Sequence, residues 1–82
     1  MKEFIWKINE DDVREDVEYA VREAEGDWLK PLSDPQRANI IDAVVEEIMY
    51  HAENAWYEDR MYTPDYETSI YDTARDYDVL MD

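Results

Sequence analysis

The feature that most restricts the fold of this sequence is a long apolar stripe that follows a helix-start signal near the middle of the chain. Ser33 stands three residues before Gln36, with Pro35 between them, which is the spacing of a capping box. Apolar residues then recur at steps of three and four positions: Ile40, Ile41, Val44, Val45, Ile48, Ala52, Ala55 and Trp56. This period predicts a helix over residues 34–61 whose apolar face forms the centre of the core.

A shorter helix is predicted upstream, over residues 10–25. Asn9 can cap it, and the acids at positions 10–12 suit the positive end of a helix dipole. Gly26 is expected to end it, because glycine is common just past the last turn of a helix. Its apolar face is predicted to be Val13, Val17, Ala20, Val21 and Ala24.

A third helix is predicted over residues 64–80. Thr63, Pro64 and Asp65 form its start signal, since proline is well tolerated at the first helical position. Its predicted apolar face is Tyr66, Ile70, Ala74, Tyr77 and Met81. A chain of 82 residues is long enough for one domain. The sequence therefore predicts a single all-α domain, residues 1–82, of three helices joined by short connections.

The first eight residues have a different pattern. Phe4, Trp6 and Ile8 alternate with Glu3, Ile5 and Lys7, a period of two that is typical of a strand. This segment is expected to be a short extended or strand-like arm over the helices, an early start of the first helix, or a strand paired with a second copy. The chain is accordingly expected to be a monomer or a homodimer.

The net charge is far larger than a small domain needs for solubility. The chain has 23 acids against 8 Lys and Arg, a formal charge of −15, whereas a magnitude of ~2–8 is usual. Charge is concentrated in residues 9–27 and 57–82, around a less acidic middle. The apolar fraction of 45% argues against disorder. Because self-repulsion destabilises the compact state, the excess of acids favours a role in binding.

On the predicted helices the acids form lines that are separate from the apolar stripes. The lines expected to bind a partner are Asp12, Asp16 and Glu23 on the first helix, Asp42, Glu46 and Glu53 on the second, and Asp65, Asp72 and Asp76 on the third. A further line on the first helix holds Asp11, Glu15, Glu18 and Glu25. Neighbours in a line lie about 6–10 Å apart along the axis, of the same order as the ~3.4 Å spacing of phosphates in one DNA strand. A charged helix face is also commonly just a solvated face, usually with mixed signs.

Tyrosines lie among these acids in the last third of the chain. Tyr66 and Tyr77 are expected to pack inward, and Tyr62 and Tyr71 to be more exposed. An exposed tyrosine beside carboxylates can offer a flat stacking surface to an arginine, as a nucleotide base does. Tyr62 and Tyr71 are therefore added to the expected partner-binding residues.

Catalysis and metal binding find little support in the sequence. His51 is the only histidine, and Glu47 lies one turn before it, which is too few ligands for a metal site. No Gly-rich phosphate loop, HExxH motif or nucleophile elbow is present. The chain is expected to be neither an enzyme nor a metalloprotein, and to need no cofactor.

The sequence favours a cytoplasmic protein. It has no cysteine, which suits a reducing compartment, and no apolar run near the ~18–20 residues of a membrane span. Its first residues lack the apolar stretch of a signal peptide. Direct binding of nucleic acid or membrane is not expected from so acidic a chain.

In length, absence of cysteine and abundance of Asp, Glu and Tyr, the whole chain resembles the small acidic inhibitors encoded by bacteriophages. These are the DNA mimics of the anti-restriction and anti-CRISPR kinds. The resemblance is compositional and rests on no motif. It implies a phage-encoded protein, acting in the host cytoplasm, that blocks the DNA- or RNA-binding groove of a basic host defence protein. Two alternatives stay open: an immunity- or antitoxin-type inhibitor of a basic nuclease without mimicry, and a non-enzymatic assembly protein.

Overall fold

The computed structural model describes residues 9–60 and 62–81 of the chain. It contains three helices: α1 (Glu10–Ala24), α2 (Asp34–Tyr57) and α3 (Tyr66–Asp76). Each helix packs against the other two, and the only β-structure among these residues consists of two isolated bridges. The predicted all-α fold is confirmed, while the predicted N-terminal arm, residues 1–8, lies outside the described residues. None of the three helices is long and apolar enough to cross a membrane.

The starts of α1 and α2 are those the sequence predicts. The Asn9 side chain accepts hydrogen bonds from the backbone N–H groups of the first turn of α1. Both halves of the capping box form at α2, where the Ser33 N–H donates to Gln36 Oε1 over 2.9 Å and the Gln36 N–H donates to Ser33 Oγ over 3.3 Å. Side-chain caps of this kind satisfy N–H groups that have no partner within the helix.

The start of α3 differs from the prediction by two residues. Asp65 is the cap, since its carboxylate accepts from the Thr68 N–H at 3.1 Å and from the Thr68 hydroxyl at 2.9 Å. Pro64 precedes this cap instead of occupying the first helical position. The helix therefore begins at Tyr66, and Asp65 lies at its end instead of on its outer face.

α1 ends one residue before its predicted end, at Ala24, and the other two helices end four residues early. α2 stops at Tyr57 instead of residue 61, and α3 stops at Asp76 instead of residue 80. Asp59 and Asp78 follow in left-handed conformations, with φ values of 58° and 59°. The Val79 N–H donates to the Ala74 carbonyl over 3.0 Å, and an equivalent bond closes α2. Both ends are Schellman motifs in which aspartate takes the position usually held by glycine.

The core lies where the three helices meet. The predicted apolar faces of α1 and α2 are buried, except that Ala20 is only partly buried and Trp56 is exposed. Ile70 and Ala74 of α3 pack against these faces. The core residues are Val13, Val17, Val21, Ala24, Leu29, Leu32, Ile40, Ile41, Val44, Val45, Ile48, Ile70, Ala74 and Val79. Leu29, Leu32 and Val79 are additions from outside the helices. They enter the core because the Lys30 N–H donates to the Val79 carbonyl over 2.9 Å and joins the α1–α2 connection to the residues after α3.

Three predicted core positions are exposed. Tyr77 and Met81 are 50% and 43% exposed, because α3 ends before them and no longer directs them to its apolar face. Trp56 is 38% exposed, since Ala52 and Ala55 supply the buried face there and the next residue points ~100° away.

Candidate partner-binding surface

The cations of the described residues are largely neutralised by the protein's own acids. Each of the five arginines there forms an ion pair with a carboxylate; the pairs are Arg14–Asp42, Arg22–Glu18, Arg37–Glu25, Arg60–Glu58 and Arg75–Asp72. Arg14 also approaches Glu10, and Arg37 also pairs with Asp34. Little positive charge is left to balance the remaining acids.

Many other acids have no positively charged side chain within 4.0 Å among the residues that the structure describes. They are Asp11, Asp12, Glu15, Asp16, Glu23, Asp27, Glu46, Glu53, Asp59, Asp65, Glu67, Asp76 and Asp78. All of them are exposed, and they lie on the three helices, in the turns that follow them and, for Asp65, at the cap of α3. The surface is therefore an array of solvated carboxylates with few countercharges of its own.

An open groove between α1 and α2 gathers the predicted acids of α2. This α1/α2 groove is lined by Glu10, Arg14, Asp42, Val45, Glu46, Met49, Tyr50 and Glu53. Asp42, Glu46 and Glu53 thus share one surface, as the sequence predicts. Arg14 lies among them and donates to Asp42 Oδ1 over 2.6 Å, which raises the pKa of the guanidinium. This groove is partly neutralised from within.

A second open groove lies between α1 and α3. This α1/α3 groove is lined by Tyr19, Ala20, Glu23, Ala24, Asp27, Trp28, Thr63, Pro64, Asp65, Tyr66, Glu67 and Ile70. It brings Glu23 and Asp65, which belong to two different predicted lines, to one surface. Asp16 lies beside it and accepts a hydrogen bond of 3.2 Å from the Tyr66 hydroxyl.

Four of the side chains that make the α1/α3 groove distinctive are not among the predicted partner-binding residues: Tyr19, Asp27, Trp28 and Glu67. If Asp65 were part of α3, as the sequence predicts, Glu67 would point ~200° away from it around the helix axis. Because Asp65 instead precedes α3 as its cap, both acids reach the same groove. Gly26, in a left-handed conformation with φ 84°, makes the turn that carries Asp27 and Trp28 there.

The predicted line on α3 is not uniform. Asp65 is held by Thr68, whose backbone N–H and then hydroxyl lower the pKa of the carboxylate. Asp72 pairs with Arg75 over 3.5 Å on the same helix. Asp76 is the last residue of α3 and is exposed. The predicted line on α1 has a comparable exposed member in Asp12, which lies in the first turn of that helix. Of the α3 line, Asp76 is the carboxylate with neither a cap nor an ion pair among the described residues.

The tyrosines follow the predictions in part. Tyr71 is 47% exposed and Tyr66 is partly buried against the core, as expected. Tyr62 is partly buried instead of exposed, because it packs against the core beside His51, with ring centroids 6.3 Å apart. Burial, and then the charges of Glu47 and Asp65, raise the pKa of Tyr62. Burial, and then the hydrogen bond to Asp16, raise the pKa of Tyr66. Tyr77, predicted to pack inward, is half exposed.

Glu25, which the sequence places on an outer acidic line, serves the fold. Arg37 donates to both of its carboxylate oxygens, from Nε over 3.0 Å and from Nη2 over 2.9 Å. The Leu32 N–H donates to the same carboxylate over 2.8 Å. The Glu25 and Arg37 side chains are only 13% and 18% exposed. Hydrogen bonds from Arg37 lower the pKa of Glu25, and the pair joins the end of α1 to the start of α2.

The one histidine does not form part of a larger ligand set. His51 Nε2 lies 3.8 Å from Glu47 Oε1, and both side chains are partly exposed. Within the described ranges, no group of three His, Cys, Asp or Glu side chains has the geometry to hold a metal ion.

Comparisons of the chain with protein-family models, curated proteins and solved structures find no match.

Proposed function

We propose that this protein is an acidic inhibitor, encoded by a bacteriophage, that acts in the cytoplasm of the host cell. Its target is a basic host defence protein that handles nucleic acid, such as a CRISPR effector or a restriction enzyme. Its carboxylates occupy the groove where that protein binds the phosphates of DNA or RNA. The observation that carries this proposal is a contrast within the described residues. Their arginines are all ion-paired with the protein's own acids, whereas many exposed acids have no described cation within 4.0 Å.

The placement of these acids supports binding better than stability. Asp12 and Asp16 are one turn apart on α1, as are Asp11 and Glu15, and like charges at this spacing destabilise a helix by roughly 0.2–0.5 kcal/mol per pair. A basic groove that attracts phosphates attracts aligned carboxylates through the same long-range field. Such a field steers association and increases its rate, and salt weakens it over a screening length of ~8–10 Å.

The test begins with capture of the partner from a lysate of the natural host and its identification. Association of the purified partner is then measured at increasing salt. We expect a rate constant that falls steeply with salt, and slower association for the variant Asp12→Asn, Asp16→Asn, Glu23→Gln. The matched control is Glu18→Gln, Asp34→Asn, Glu58→Gln, which removes the same charge from acids that are already ion-paired. Circular dichroism of both variants checks the fold.

Two outcomes contradict the proposal. One is a partner that has no nucleic-acid-binding activity, and the other is a rate constant that does not change with salt. Equal slowing by the two triple variants would mean that only net charge matters, and that the line Asp12, Asp16 and Glu23 is not the docking line.

A further inference from the structure

We infer that the α1/α3 groove is the docking site for an arginine-bearing segment of the basic partner. This inference rests on the proposed function and names the place of contact. The floor of the groove is apolar, with Ala20, Ala24 and the fully buried Ile70 beneath it. Tyr19, Trp28 and Tyr66 add aromatic surface around this floor.

The aromatic surface is available to an incoming side chain. Tyr19 is 68% exposed, and its hydroxyl donates to Glu23 Oε1 over 3.3 Å, so the ring lies beside a carboxylate. Trp28 is partly buried, and its ring centroid is 6.0 Å from that of the exposed Tyr71. A guanidinium group stacks on such rings while its N–H groups donate to neighbouring carboxylates.

Charge complementarity identifies the occupant as cationic. Glu23, Asp27, Asp65 and Glu67 are distributed around the groove, and all four are exposed. No lysine or arginine is among its described lining residues. The α1/α2 groove has a similar number of acids but contains Arg14. A cation entering the α1/α3 groove therefore meets no repulsion from the lining, whereas one entering the α1/α2 groove must displace or approach Arg14.

The combination of aromatic rings and carboxylates in the α1/α3 groove favours arginine over lysine as the bound side chain. Arginine presents a planar group that stacks on aromatic faces and forms two parallel hydrogen bonds with a carboxylate. Lysine is a compact and strongly hydrated charge that gains less from the rings. The groove therefore distinguishes the two cations, which a uniform negative field does not do.

The first test uses short oligo-arginine and oligo-lysine peptides of equal length as probes, with affinity measured by fluorescence anisotropy. We expect tighter binding of oligo-arginine. We also expect that Glu23→Gln with Glu67→Gln weakens it about three- to tenfold, as the loss of two exposed ion pairs implies. The matched control is Glu46→Gln with Glu53→Gln, which removes the same charge from the α1/α2 groove and should weaken binding less.

The second test separates stacking from charge. Tyr19→Leu keeps apolar surface but removes the aromatic ring, and should reduce the preference for oligo-arginine over oligo-lysine. Tyr50→Leu is the control, because Tyr50 is 64% exposed and lines the α1/α2 groove. Backbone amide shifts on titration with oligo-arginine should concentrate at residues 19–28 and 65–70.

Equal weakening by the two charge-matched double variants, or an unchanged preference in Tyr19→Leu, would overturn the assignment of the groove. Neither result bears on the proposed function, which depends on competition between this protein and DNA for the partner. Conversely, if DNA does not compete while the groove variants behave as expected, the groove is a docking site and the proposed function is wrong.

Discussion

Individual carboxylates in this chain differ in their hydrogen bonds, ion pairs and burial. Glu25 accepts three hydrogen bonds and is almost buried, and Asp65 uses its two oxygens to cap α3. Glu23 and Glu67, by contrast, are exposed and have no ion-pair partner among the described residues. The first two acids serve the fold, and the last two are free to meet a partner.

The first prediction concerns Glu25. Its folded-state pKa lies below the unfolded value of ~4.3, so its stabilising effect is complete above that value and is lost as pH falls through the folded pKa. Glu25→Gln should lower the melting temperature at pH 7, because it leaves Arg37 without its main partner. The difference from the parent should shrink below about pH 4. Thermal unfolding across pH measures it, with the exposed Glu18→Gln as control; equal effects of the two variants would contradict the structural role of Glu25.

The second prediction concerns Asp78, whose φ of 59° is unfavourable for an L-residue with a Cβ atom. Asp78→Gly and Asp78→Ala remove the same charge, but only glycine relieves the backbone. We expect the glycine variant to be more stable than the alanine variant by about 1 kcal/mol. Urea unfolding measures the difference. Equal stability of the two variants would contradict the left-handed conformation of residue 78.

At the scale of helices, sequence patterns predicted the starts of α1 and α2 and their buried faces. These features were predictable because a helix cap depends on residues close together in the sequence, and because helix geometry sets the spacing of the buried apolar residues. The two early helix ends could not be predicted, since aspartate at 59 and 78 lacks the signal that glycine gives at 26. Leu29 and Val79 were also missed, because their burial depends on pairing between two distant segments and not on any period.

The third prediction tests α2 as the centre of the core. Ile48 is completely buried, and replacing it with alanine should destabilise the protein by about 2–5 kcal/mol through lost burial and a cavity. Asn39→Ala, at an exposed position of the same helix, should change stability by less than about 0.5 kcal/mol. Chemical denaturation measures both. An Ile48→Ala variant as stable as the parent would contradict the packing described for α2.

At the scale of the whole molecule, the candidate surface could be predicted only in outline. The acids of α2 meet as predicted because Asp42, Glu46 and Glu53 share one face of one regular helix. The α1/α3 groove could not be predicted, since it depends on how two helices pack and on the turn at Gly26 that positions Trp28. Surfaces made by one helix follow from sequence spacing, and surfaces between helices require the tertiary structure.

The fourth prediction concerns the net charge of −15. Repulsion among the acids opposes folding, and 0.1 M salt screens it over ~10 Å. Raising salt from low to moderate concentration should raise the melting temperature, by ~4–8 °C for each kcal/mol of repulsion removed. The rise should be smaller for Glu46→Gln with Glu53→Gln. A melting temperature that stays flat or falls over this range would contradict destabilisation by self-repulsion.

The central claim is that the acids occupy the place of phosphates, and competition for the partner tests it most directly. The captured partner is bound to labelled double-stranded DNA, and this protein is added at increasing concentration. We predict that DNA is released as the protein binds, with an apparent dissociation constant for DNA that rises linearly with the protein concentration. The variant Asp12→Asn, Asp16→Asn, Glu23→Gln should release less DNA at the same concentration. A complex in which the partner holds DNA and this protein together, with neither weakening the other, would contradict the claim.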